Sequence, residues 1–216
     1  TLNATANTVI YMYYGNSLAS DQQNVTGTWS NSFKAVWHSD ETSGTLIDST
    51  TVNNGTANGT TGVNGIIGNS RLFNGSNEHI DVGTNAALNQ TTNLTVSAWI
   101  KLNSYGGAWA SIVNKRPVAN NAGYTFELYN NTGGLQWQFP GSTCGISVAA
   151  NLLPLNSWAF VVATASVSGN SSVIYVNGVA KGSGTCSSIT GTSSAARIGR
   201  NIVATTVVDG SLDEIR

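Results

Sequence analysis

The stretch Thr95-Val96-Ser97-Ala98-Trp99-Ile100-Lys101 decides the fold. With Leu94 ahead of it, aliphatic residues recur at 94, 96, 98 and 100, the two-residue period of a strand with one covered face. The same alternation returns downstream at Tyr124, Phe126 and Leu128, and at Leu135, Trp137 and Phe139, which interleave with Gln136 and Gln138. Ile174 and Val176 flank an outward Tyr175, and Asn177-Gly178 follows as a two-residue hairpin turn. The run from Trp158 to Val167 is apolar on both faces, as in a central strand. Gly-rich turns separate these runs at intervals near ten residues, and no convincing amphipathic helix interrupts them. The pattern predicts an all-β, antiparallel β-sandwich.

Composition narrows the setting. The 216 residues include 9 Lys+Arg and 10 Asp+Glu, for a net charge of −1, so no basic patch is available for nucleic acid or an anionic membrane. Asn alone, at 26, outnumbers all charged side chains. No run of 18 apolar residues is present, which excludes a spanning helix. Nine Asn-X-Ser/Thr sequons occur, at Asn3, Asn24, Asn54, Asn58, Asn74, Asn89, Asn93, Asn130 and Asn170. Chance produces several in so Asn- and Thr-rich a chain; attached glycans would supply the solvation that charge does not.

The two cysteines, Cys144 and Cys186, sit in Gly/Ser/Thr surroundings at strand edges, the setting of an extracellular disulfide more than of two free thiols. Closing a loop of about 43 residues stabilises by roughly 4 kcal/mol on chain-entropy grounds. His38 and His79 lie too far off in sequence to complete a zinc site with them.

Several blocks in order resemble the laminin-G-like (LamG, concanavalin A-like) jelly roll from Phe33 onward. They are Val36-Trp37-His38-Ser39-Asp40-Glu41 through Asp48-Ser49-Thr50, Ile67 to Gly75 with Ile80, Ser157-Trp158 to Thr164, Arg197-Ile198-Gly199, and Gly210-Ser211-Leu212-Asp213-Glu214-Ile215-Arg216. The resemblance implies a concanavalin A-like jelly roll over 33–216, mostly non-catalytic and extracellular. Residues 40–70 read as long loops tied to short strands. Residues 1–32 form a separate region: Ile10 to Asn16 resembles the end of a small domain that precedes such modules in microbial surface proteins. Its strand, Thr8 to Tyr14, needs a partner in its own sheet or at another molecule's edge. Both ends read as cut from a longer polypeptide or completed by a neighbour.

Catalysis by glycoside hydrolysis needs paired carboxylates, and nothing here resembles an acid/nucleophile pair: Glu127 stands alone, Asp213 and Glu214 point oppositely, and Asp209 could share a face with Asp213 but Gly210 suggests a bend between them. Some relatives hold calcium, which makes Asp40, Glu41, Asp48 and Asp213 the metal candidates. The competing roles are a turn cap for Asp48 and an ion pair with Arg197 or Arg216 for Asp213. Sugar stacking needs exposed aromatics, and Trp109 beside Gly106, Gly107 and Tyr105 is the most loop-like, with Trp29 second. Trp37, Trp99 and Trp158 fall at core positions of the resemblance, and Trp137 is ambiguous. The expected function is a structural or adhesive block of a microbial surface assembly, glycosylated and in contact with its own copies or neighbouring modules. The alternative is a carbohydrate-binding module of a larger secreted protein.

Overall fold

The computed structural model describes residues 5–149, 151–203 and 206–216. Asn3, the first sequon, lies outside the described residues. The described chain builds two antiparallel seven-stranded sheets. In chain order the strands are β1 Thr56–Asn58, β2 Thr61–Asn64, β3 Asn69–Asn74, β4 His79–Gly83, β5 Asn93–Leu102, β6 Ser111–Lys115 and β7 Tyr124–Tyr129. Then follow β8 Gly134–Gln138, β9 Gly145–Val148, β10 Ala159–Ser166, β11 Ser171–Val176, β12 Val179–Gly184, β13 Ala196–Ile198 and β14 Asp209–Asp213. The first sheet runs β1-β4-β13-β6-β7-β8-β9 and the second β12-β11-β10-β5-β14-β3-β2. This is the antiparallel sandwich that the alternation predicts, in the jelly-roll form that the resemblance implies.

The core forms where the apolar faces meet. Val96, Ala98 and Ile100 of β5 and Val161, Ala163 and Ala165 of β10 bury from one side, and Ile80, Ile198, Phe126, Leu128 and Leu135 from the other. Trp137, left ambiguous by its sequence, is wholly buried, with ring centroids 5.8 Å from Tyr124, 5.9 Å from Phe126 and 4.6 Å from Phe139. Trp37 is buried as expected, and its indole N–H donates to the Asn53 carbonyl at 2.8 Å.

Trp99 and Trp158 depart from expectation. Both are half-buried rather than core. In β5 and β10 the even positions of one and the odd positions of the other face inward, which leaves Trp99 and Phe160 outside, 5.3 Å apart. Lys101 lies 5.2 Å over the Trp158 ring. An aromatic that covers the outer side of a sheet reads like a core aromatic in sequence, because both want apolar neighbours.

Two turns show their chemistry. Asn177 (φ 50°) and Gly178 (φ 77°) are both left-handed, the pattern that joins β11 to β12 without splaying them. Cys144 and Cys186 form a disulfide and also bridge as neighbours, tying the approach to β9 in one sheet to the chain leaving β12 in the other.

The N-terminal region differs from its expected strand. Residues 9–14 belong to neither sheet, and their six large side chains are each at least 69% exposed. A single helical turn, α1 Val25–Thr28, is capped by Asn24, which accepts the Gly27 N–H at 2.8 Å. It leads to Trp29, whose ring is 5.1 Å from Phe33 and 5.5 Å from His38.

Candidate functional site

Strand alternation turns Ser111 and Asn114 of β6, Thr125, Glu127 and Tyr129 of β7, and Gln136 and Gln138 of β8 away from the core. The resulting face is polar, yet its centre is dry: Ser111, Asn114, Thr125 and Glu127 are wholly buried. Buried polar groups need partners, and Glu127 collects them. Its Oε2 accepts from Asn201 Nδ2 at 2.8 Å, Thr125 Oγ1 at 3.1 Å, Ser111 Oγ at 3.3 Å and Arg116 at 3.4 Å. Arg116 also donates to Asn120 and Gln138. Burial pushes the Glu127 carboxyl above the usual carboxylate range, and outweighs the opposing pull of Arg116 and the three neutral donors. Burial likewise lowers the Arg116 guanidinium, with Glu127 opposing, but an arginine keeps its charge. The pair is neutral overall, and it braces the sheet rather than presenting free charge.

The brace reaches Trp109. Asn201 Nδ2 also donates to the Trp109 carbonyl, at 2.9 Å. The Trp109 N–H donates to the Leu128 carbonyl at 3.1 Å. Held from both sides, Trp109 adopts φ 76°, a left-handed conformation that an aromatic residue reaches only under constraint. Its ring packs edge-on against Tyr129, centroids 5.4 Å apart, and both side chains are half-buried. Tyr105, on the same loop, is locked by its hydroxyl, which donates to the Leu153 carbonyl at 2.9 Å. Two partly exposed rings, set at the end of a polar sheet face and backed by a buried ion pair, form a rigid amphipathic ledge.

Trp29, the other aromatic candidate, is not part of this ledge. It packs against Phe33 and His38, with the Arg216 guanidinium 5.1 Å over its ring. His38 Nδ1 lies 2.9 Å from Glu214 Oε1, and Glu214 also pairs with Arg216. Arg116, Glu127, Tyr129 and Asn201 were missed as site residues. The polar spacing of Thr125, Glu127, Gln136 and Gln138 carried the signal for the face, but nothing local marks Asn201.

The four metal candidates do not converge, and among the described residues no three His, Cys, Asp or Glu side chains group as a metal site. Asp48 is a turn cap. Its oxygens accept from the backbone of Val36 (2.8 Å), Thr50 (2.9 Å) and Asn53 (2.9 Å), and from the Thr50 hydroxyl (2.5 Å). Asp213 pairs with neither expected arginine: its Oδ2 accepts from the Ile66 and Ile67 N–H groups at 2.8 and 3.2 Å. Arg197 pairs instead with Asp81 at 2.7 Å. Asp40 accepts the Asn69 N–H, and Glu41 the Ile47 N–H while lying 3.6 Å from Arg71. Backbone donors thus already hold these carboxylates. The eight described sequon asparagines, Asn24, Asn54, Asn58, Asn74, Asn89, Asn93, Asn130 and Asn170, are all exposed.

The solved structures that this chain resembles share its sandwich. Domain 4 of AbnA, an extracellular arabinanase from Geobacillus stearothermophilus, in complex with arabinotriose, aligns with TM-score 0.65 and 19% identity over 85% of this chain and 90% of that one. The receptor-binding domain of a botulinum neurotoxin C/D mosaic serotype gives TM-score 0.59 at 20% identity, over 85% of this chain and 48% of the toxin chain. A Trypanosoma rangeli sialidase mutant displaying trans-sialidase activity gives 0.60 at 12% identity, over 84% and 30%. The chain therefore spans about half of the toxin chain and under a third of the sialidase. At such identities the likeness is one of fold. No curated protein sequence matches. The profile of the concanavalin A-like lectin/glucanases superfamily does match, over residues 73–216, two thirds of the sequence and both sheets' central strands. The chain belongs to that superfamily.

Proposed function

We propose that this chain is a non-catalytic carbohydrate-binding module of an extracellular protein, and that it holds sugar on the Trp109–Tyr129 ledge. The observation that carries the reading is the backbone of Trp109. A bulky aromatic held at φ 76° by a buried network is a strained feature, and such features cluster where a ligand is gripped. Apolar C–H faces of a sugar suit the two rings. The sugar-bound arabinanase domain of the same fold supports this choice of ligand. Glu127 is the single acid of its network; its partners are Arg116 and neutral side chains, with no second carboxylate to act as acid or nucleophile. The disulfide suits a secreted setting.

The test is a glycan array followed by calorimetric titration of the best ligand against wild type, Trp109→Ala and Tyr129→Ala. Binding by wild type that weakens at least about tenfold in Trp109→Ala, with an unchanged circular dichroism spectrum, is the expected result. Absence of any glycan binding, or binding indifferent to both substitutions, would sink the proposal.

A further inference from the structure

One strand position in the second sheet stands open. β14 pairs with β5 only along Trp99–Leu102, and beyond it Ser97 and Arg216 exchange both backbone hydrogen bonds, at 2.8 and 2.9 Å. The N–H and C=O of Thr95, two residues back along β5, face the same side as those of Ser97. Among the described residues nothing pairs with them on that side. A groove of about 540 Å³ occupies this position. Residues 92–97 form one wall and residues 31–35 the other, while Leu88, Val113, Tyr124 and Ile198 of the sandwich interior form its floor. Its floor is apolar and its β5 wall offers the free N–H and C=O of Thr95.

The same chain carries a segment without a place. Residues 9–14, Val-Ile-Tyr-Met-Tyr-Tyr, are uncharged and apolar throughout, and each is at least 69% exposed. An exposed apolar run of this size marks a contact surface, and an extended peptide satisfies an open edge by adding to it. In an extended run Ile10, Met12 and Tyr14 share one face, three side chains to set against the apolar floor. None of residues 9–14 lines the groove of its own chain, and all six stay exposed outside it.

We infer that residues 9–14 of one copy insert as a strand into the open position beside Thr95 of a second copy, so that the chain self-associates by strand donation. The occupant is a second copy because the same sequence holds both unsatisfied halves: an uncharged apolar strand and a slot lacking one. The contact is heterologous, so it propagates along a row unless the rotation closes it.

Two measurements on the full chain test this. Light scattering should give a mass above that of the monomer, rising with concentration, and Ile10→Asp together with Met12→Asp should return it to monomer. These positions are exposed, so the double variant keeps its fold. In the second, Tyr11→Cys chains, whose thiol lies on the outward face of the donated strand as Thr95 does on β5, are mixed with Thr95→Cys chains under mild oxidation, with Tyr11→Cys and Lys181→Cys, on edge strand β12, as the control mixture. A mixed disulfide that forms well above the control supports the inference. A purely monomeric wild type overturns it. So does equal crosslinking to Lys181, or a Tyr11→Cys/Thr95→Cys double variant that crosslinks only within one chain.

Discussion

Glu127 and the backbone of Trp109 are joined through one nitrogen: Asn201 Nδ2 donates at 2.8 Å to the carboxylate and at 2.9 Å to the carbonyl. A buried acid on the sheet thereby sets the angle of a half-exposed ring in a loop.

Asn201→Ala removes that link and leaves two buried acceptors short of a donor, a cost of about 1–3 kcal/mol. The expected outcome is a lower melting temperature and a red-shifted indole emission that Trp109→Phe abolishes. Ligand affinity should fall with the ring's order. Thermal melts and tryptophan fluorescence check this, and an unshifted spectrum in Asn201→Ala would refute the positioning role.

Burial raises both Glu127 and Asp213 above their ordinary carboxylate values. For an acid raised on folding, the contribution to stability is fully present below the unfolded pKa, near 4, and is lost as pH rises through the folded value. Melting temperature should therefore carry a component that declines from acidic toward neutral pH. Glu127→Gln should flatten part of that decline, as measured by calorimetry across the range.

Asp48 gathers donors from Val36, Thr50 and Asn53 into one turn. Asp48→Ala strands those buried N–H groups, and a loss of about 3 kcal/mol is expected in urea unfolding. Because its oxygens already serve the backbone, added calcium or a chelator should not move the wild-type midpoint.

Reduction of the Cys144–Cys186 disulfide, whose ends are 42 positions apart, should cost roughly 4 kcal/mol. The change should appear as a lower urea midpoint in reducing buffer, and Cys144→Ser should match it. A midpoint insensitive to reductant would show that the sheets do not need this tie.

Asn93 is both a sequon and part of the groove wall beside Thr95. A glycan there and a donated strand compete for the same space. Mass spectrometry of size-separated native material should find Asn93 occupied in monomer and bare in oligomer.

The sandwich was legible because alternation is local. Val96, Ala98 and Ile100, or Tyr124, Phe126 and Leu128, announce a covered face within a few residues, and all are buried. The outer aromatics were misjudged for the same reason: alternation tells that two faces differ, not which of two apolar faces lies inside. Phe160 and Trp99 show this, each as apolar as the inward Ala159 and Ile100 beside it. Trp109 could be picked from its glycines and loop setting. The network that gives it meaning could not, because Asn201 is 74 positions from Glu127 and 92 from Trp109. The unpaired state of residues 9–14 also defeats a propensity reading, since strand-forming side chains need an edge to join.

Arg216 over the ring of Trp29 places residues 29 and 216 at one corner of the sandwich, beside the start of β5. Arg216 pairs with Ser97, and the Trp109 loop follows the end of β5 at Leu102, five residues and about 17 Å further along the strand. Tension passing through the polypeptide at residues 29 and 216 is therefore borne at that corner. It pulls on the Trp29, Phe33 and His38 contacts and on the Trp37–Ile215 backbone pair. The ledge stays outside the line of force. Under flow or shear, a sugar held there would leave at its own dissociation rate, and the corner would be the first part of the domain to yield.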